Sequence, residues 1–189
     1  CGALKSIELP AGITSIGIQA FRLTGLTSIK IPEGVTTIGE KAFMYCDALQ
    51  TVTIPASVQS LANNIFTECK IAKNIQYSGT EKQWKNLKFD PTGTNSPEIT
   101  ISYLRTVKFD PNGHGTAPKN VYVKNGETID CPTLSETGYN LDGWYYTENG
   151  VEKKFVFGDN GTPVTSSMTL KAKWEINQYT VTFNPNGGS

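Results

Sequence analysis

Apolar residues recur at fixed offsets over the first third of the chain. Residues 4–21, 26–43 and 49–66 share one pattern, offset by 22 and then 23 positions. Their apolar positions fall into six columns: Leu4/Leu26/Leu49, Ile7/Ile29/Val52, Leu9/Ile31/Ile54, Ile13/Val35/Val58, Ile16/Ile38/Leu61 and Phe21/Phe43/Phe66. The second and third columns alternate inward and outward with period two, which predicts a short strand at 7–9, 29–31 and 52–54. Pro10, Pro32 and Pro55 follow; a residue without an N–H ends the strand. The stretch around 13–16 and its equivalents predicts a second, shorter extended segment, and the phenylalanine fills the turn of the coil. A unit this short cannot enclose a core by itself. It buries its columns only by stacking on its neighbours, which predicts a solenoid. Each buried side chain contributes about 1.5–3 kcal/mol before conformational entropy is counted. Solenoids present extended surfaces, so the pattern points to binding more than to catalysis.

The residues L-x-x-I-x-[LI]-P, then [IV]-x-x-I, then A-F, with C-x-x-L leading into a coil, resemble the BspA-like class of leucine-rich repeats found in bacterial surface proteins. The resemblance covers about residues 1–90. The third copy departs from it at Ile65-Phe66, where the others have Ala-Phe. It implies a right-handed solenoid with a strand on one face of every coil.

Three of the four cysteines belong to the repeat. Cys46 and Cys69 each follow the coil phenylalanine by three residues, and Cys1 and Cys46 each precede the coil leucine by three. That is one repeat column of small buried thiols, with Leu23 or Thr24 in the intervening coil. Cys131 stands apart. No C-x-x-C occurs, so neither a zinc site nor thioredoxin-like chemistry is expected. Cys1 has a second reading, the lipidated first residue of a mature lipoprotein. The register also makes residue 1 the tail of a preceding coil, so the chain reads as a fragment. The array is expected to end at 70–88. There Thr80 and Gln83 form a capping box for a short helix. Trp84 and Leu87 share one face of that helix, as a lid over the last coil or as a tryptophan-centred ligand platform.

Residues 91–103 read as a linker that runs into a strand at 99–103. Beyond it, aromatics replace aliphatic columns, and Asn-Gly pairs appear at 112, 125, 149, 160 and 186. Asn-Gly suits the positive φ angles of tight hairpins. Strand-like runs at 106–109, 120–123, 142–146 and 168–174, with one helical turn near 132–136, predict a small β-rich domain. TVKFDPNG from Thr106, GYNLDGWYY from Gly138 and TLKAKW from Thr169 resemble the Listeria-Bacteroides repeat, the B-repeat type of the internalins. The resemblance implies a β-grasp-like module over 104–177, used in tandem on bacterial surfaces, with Trp144 and Trp174 in its core and Tyr139 anchoring a turn. TVTFNPNGGS, 74 residues after TVKFDPNGHG, marks 178–189 as the start of a second copy. The fold class is therefore mainly β: a leucine-rich solenoid over 1–90 with a C-terminal cap, then a β-grasp-like domain.

Candidate chemistry is sparse. The single histidine, His114, sits in a turn, and no Ser or Cys motif points to it. Asp110 and Asn112 offer the first oxygens of a calcium loop, but Val121 stands where its glutamate belongs. The turn at 158–161 reads as a hairpin. No phosphate loop or dinucleotide fingerprint occurs. Seventeen basic residues balance seventeen acidic ones, which disfavours nucleic acid and anionic membranes as partners. No apolar run reaches membrane-spanning length. No cofactor, metal or catalytic residue is expected. What remains is the outward side of the strands: Ser6 and Glu8, Ser28 and Lys30, Thr51 and Thr53, which either solvate a sheet or form a flat binding face. The expected protein is a monomeric, non-catalytic adhesin at the cell surface or secreted. It would engage host extracellular-matrix or plasma proteins, or other bacterial cells. The alternatives are a stalk displaying another domain and an accessory region of a larger surface enzyme.

Overall fold

The computed structural model describes residues 2–71, 73–90, 97–180 and 182. The chain divides into two compact units, Cys1–Arg105 with Tyr122–Asn125, and Thr106–Val121 with Gly126–Ser189.

The first unit is the solenoid. Two parallel ladders run along it. β1 (Ser15–Ile16), β3 (Thr37–Ile38) and β5 (Ser60–Leu61) form one sheet, in the order β1-β3-β5. These are the predicted second segments, paired Ile16 to Ile38 to Leu61. β2 (Ser28–Lys30), β4 (Thr51–Ile54), β6 (Lys73–Tyr77) and β7 (Ile99–Tyr103) form the other sheet. Its register aligns Ile29, Val52, Ile75 and Ile101. The ladder thus runs two strands past the point where the written repeat stops. The proline is lost there, but the inward aliphatic residue keeps its place.

Between the sheets lies an apolar core. Leu26, Leu49, Val52, Ile54, Val35 and Phe43 are fully buried. Phe43 stacks on Phe21 at 5.5 Å and on Phe66 at 5.7 Å between ring centroids. In the fourth coil α1 (Glu81–Asn86) replaces the second extended segment. Thr80 caps it: its Oγ1 accepts from the Gln83 N–H, and the Gln83 side chain accepts from the Thr80 N–H, the predicted capping box. Trp84 is buried against Tyr77, 5.1 Å between centroids, and Phe89. Aromatics here fill the space that aliphatic columns fill elsewhere. The first coil differs from the others. Residues 6–9 form no strand, and Leu4 and Ile7 are 38% and 39% exposed. Among the described residues, 6–9 pair with no strand of the β2 ladder.

The remaining strands form a five-stranded mixed sheet that makes up most of the second unit. Its strands are β8 (Arg105–Asp110), β9 (Val121–Val123), β10 (Tyr139–Glu148), β11 (Val151–Lys154) and β12 (Met168–Ile176), in the order β11-β10-β12-β8-β9. The central pair β8 and β12 is parallel, and β10 is antiparallel to both β11 and β12. The β10–β11 hairpin turns at Asn149-Gly150, with φ of 52° and 79°, so Asn-Gly acts there as predicted. Phe109, Trp144, Leu170, Ala172, Val164 and Ile129 make its core, with Phe109 edge-on to Trp144 at 5.0 Å. The helical turn expected near 132–136 is absent: that stretch is irregular, and Glu136 bridges to Tyr139. Trp174 is half-buried rather than a core residue, because its Nε1–H donates to the Pro111 carbonyl at 2.9 Å in the neighbouring turn. The second repeat copy expected over 178–189 falls almost wholly outside the described residues.

Candidate functional site

The face of the β2-β4-β6-β7 sheet carries the candidate site. Period-two alternation sends Ile29, Val52 and Ile75 inward and leaves the flanking residues outside. The parallel register then sets these outer residues in two rows. One is Ser28, Thr51, Asn74 and Thr100; the other is Lys30, Thr53, Gln76 and Ser102. Adjacent members of a row stand about 4.8 Å apart. Thr53 Oγ1 donates to Gln76 Oε1 at 3.2 Å, and Ser102 Oγ donates to Asn74 Oδ1 at 3.3 Å. These bonds hold the short side chains upright and leave further donors and acceptors directed outward. The grid is uncharged apart from Lys30.

Of the six residues predicted from sequence, the structure brings Ser28, Lys30, Thr51 and Thr53 together. Ser6 and Glu8 are exposed but lie outside the ladder. Four grid members escaped the repeat alignment: Asn74, Gln76, Thr100 and Ser102. Their signal was the alternation Asn74-Ile75-Gln76-Tyr77 and Thr100-Ile101-Ser102-Tyr103, with Ile75 in the spacing of Ile29 and Val52.

The cysteines sit in their expected column and serve packing. Cys46 and Cys69 are buried and free. Cys46 Sγ donates to the Phe21 carbonyl at 2.9 Å, and Cys69 Sγ donates to the Phe43 carbonyl at 3.1 Å, one coil back in each case. Thr24 fills the column in the second coil, 3.3 Å from Cys46 Sγ. Burial pushes the Cys69 thiol pKa up, which keeps it protonated and inert. Cys1 lies outside the described residues. The sequence pattern did not announce Lys73, which points inward from β6 and is 1% exposed. Its Nζ donates to the carbonyls of Cys46 and Leu49. Beside it Asp47 pairs with Lys70 at 2.9 Å, and that bond holds the carboxyl below the ordinary range.

His114 is not simply solvated. Its ring lies against Tyr139 at 4.2 Å and Trp174 at 5.5 Å. In the same turn Asp110 Oδ1 accepts from the Asn112 N–H, and Asn112 Nδ2 donates to the Ala172 carbonyl. Among the described residues no cluster of three His, Cys, Asp or Glu could hold a metal ion, and no helix is long and apolar enough to cross a membrane.

Comparison with known proteins agrees with this architecture. Residues 1–109 match the BspA type leucine rich repeat region, in six copies, and residues 106–173 match the Listeria-Bacteroides repeat domain. A provisionally named Gly-rich membrane protein of Evansella cellulosilytica is 41% identical over 85 residues, 44% of this chain and 9% of that protein. A second membrane-named protein of the same organism is 40% identical over 85 residues, 44% of this chain and 12% of its own length. Internalin H of Listeria monocytogenes is 33% identical over 116 residues, 60% of this chain and 20% of its own. The chain therefore matches a fifth or less of each of these relatives. With its stacked coils, its column of phenylalanines and the repeat match over more than half its length, the chain belongs to the BspA-type leucine-rich repeat family and carries a Listeria-Bacteroides repeat domain behind the solenoid.

Proposed function

We propose that this chain is a non-catalytic binding region of a bacterial cell-surface protein. It engages an extracellular-matrix or plasma protein of a host, or another cell, through the β2-β4-β6-β7 face. The observation that carries the reading is the grid: seven uncharged polar side chains and Lys30 in parallel register on one sheet. A pre-ordered surface loses little conformational entropy on binding. The membrane and internalin names of its relatives support a surface location. The test is binding of the purified chain to a panel of matrix proteins, plasma proteins and cells at physiological salt. Thr51→Lys with Thr53→Lys puts two like charges beside Lys30 at the centre of the grid. Saturable binding that falls at least tenfold in this variant supports the reading. Binding that the variant leaves unchanged moves the interface elsewhere.

A stalk that displays another domain is the second reading. The recurrence of TVKFDPNG as TVTFNPNG 74 residues on favours it, because tandem modules extend a chain. A folded monomer that binds none of the panel would favour the stalk.

A further inference from the structure

The second unit contains a cleft of about 390 Å³, between the end of β10 and the loop at 162–167 that leads into Met168 of β12. Its lining is mostly hydroxylic. Thr165 and Ser166 on the loop carry hydroxyls that make no hydrogen bond among the described residues, and Thr147 lines the cleft from β10 with its side chain on the strand face opposite Tyr146. Tyr146 contributes an aromatic wall, held edge-on to Phe155 at 6.0 Å. Glu148 is the carboxylate at the rim, paired with Lys153 at 2.6 Å.

The loop is fixed before any ligand arrives. Val164 is fully buried, and its backbone exchanges hydrogen bonds with Gly126 and Glu127: its N–H donates to the Glu127 carbonyl, and its carbonyl accepts from the Gly126 N–H, both at 2.9 Å. Thr162 is held twice, through its N–H to the Val156 carbonyl at 2.7 Å and through its Oγ1 from the Val156 N–H at 3.1 Å. One apolar anchor thus turns the neighbouring hydroxyls outward. Small-ligand sites are usually preformed clefts of about 300–1,000 Å³ lined chiefly by apolar and aromatic side chains, and the hydroxyl-rich lining here sets this cleft apart from them. The lining narrows the ligand class. There are too few apolar walls for a lipid or a hydrocarbon. The charges at the rim already neutralise each other, which leaves no net field for an ion. Hydroxyls that both donate and accept, beside one aromatic face, match a ligand that is itself a cluster of hydroxyls on an apolar ring.

We propose that this cleft binds a short neutral saccharide, independently of the solenoid face. The test is titration of the whole chain with maltotriose, mannotriose and chitotriose, read by ligand-observed NMR, with sialyllactose as the anionic comparison. A neutral trisaccharide is expected to bind saturably, with a Kd of about 1 mM or tighter, and sialyllactose at least tenfold more weakly. Thr165→Arg, a change at an exposed position that fills the cleft, is expected to abolish binding. Ser166→Ala, the smaller change, weakens it severalfold, and Thr51→Lys on the solenoid leaves it unchanged. Near-ultraviolet circular dichroism checks that the variants remain folded. No saturable binding by any of the three neutral sugars at about tenfold the expected Kd overturns the proposal. So does binding that Thr165→Arg and Ser166→Ala leave intact.

Discussion

Phe43 is the middle ring of three, and its position decides its energetic weight. It is fully buried and stacked on both sides, whereas Phe21 has a ring neighbour on one side and is 7% exposed. Phe43→Ala is expected to destabilise the solenoid by about 3–5 kcal/mol, the range for a large buried aromatic. Phe21→Ala should cost measurably less. Urea unfolding of the two variants checks the order, and equal losses would refute the two-sided packing. Lys73 makes a different prediction, about pH. Burial pushes its pKa below the ordinary lysine value. Between that lowered value and the ordinary one near 10.5 the unfolded chain binds the extra proton, so stability contributed by this group rises with pH through that window. Lys70, Lys85, Lys153, Lys154 and Lys173 are shifted the other way by their carboxylate partners. Their contribution is lost as pH rises through their folded values, above 10.5. Lys73→Met keeps those pairs and removes only the buried amine. The stability of the native chain relative to this variant should therefore grow between pH 7 and pH 10. Denaturant midpoints at the two pH values measure it, and a flat difference would place the amine in water.

The six residues of α1 are too few to be helical alone, so the element depends on its cap and on Trp84. Thr80→Ala removes the oxygen that satisfies the Gln83 N–H, at an expected cost of about 1 kcal/mol. Trp84→Ala empties the fourth coil and should cost several times more; calorimetric Tm values rank the two. This coil also shows where sequence reading succeeds and where it stops. The capping box was legible because it is local: two residues at a fixed offset with complementary side chains. The first three coils were legible because identical columns must coincide in space. Strands β6 and β7 were harder to place in the stack. Their proline and phenylalanine columns are gone, replaced by Tyr77, Trp84 and Tyr103, and an aromatic cluster has no fixed spacing to read. Lys73 was invisible for a related reason. A lysine in a strand reads as an outward residue, and only the three-dimensional turn of the preceding coil supplies the carbonyls that accept its protons. The absence of a strand at 6–9 was not legible either, since SIEL has the same alternation as SIKI.

At the scale of the solenoid, stability is a sum of coils and of the contacts between adjacent coils. Inner coils donate and accept along both ladders: on one the Gln50 N–H bonds the Thr27 carbonyl at 2.9 Å and the Asn74 N–H the Gln50 carbonyl at 2.8 Å, and on the other the Thr36 N–H bonds the Thr14 carbonyl and the Gln59 N–H the Thr36 carbonyl, both at 2.8 Å. The first coil joins the ladder through β1 and the following turn, and leaves residues 6–9 unpaired in it. Among the described residues the first coil shares one such interface and the third coil two, so opening the third breaks more of them. Amide exchange should grade accordingly. Protection should be lowest at 4–13 and highest at Gln50, Gln59 and Asn74, whose donors lie on the inner coils. Side-chain truncation should follow the same gradient along one column. Leu4→Ala and Ile7→Ala act on side chains already more than a third exposed and should each cost about 1 kcal/mol or less. Leu26→Ala and Ile29→Ala, in the same columns one coil on, should each cost about 2–5 kcal/mol. Uniform protection over 4–66, or equal losses at Leu4 and Leu26, would mean that the coils open together, and the additive picture would fail. A graded result would also bear on the binding face, because the four strands that carry it, β2, β4, β6 and β7, begin after the weakest coil. Fraying at 4–13 would leave Ser28, Thr51 and Asn74 in register, so a partner that needs only the grid should bind a Leu4→Ala variant with unchanged affinity.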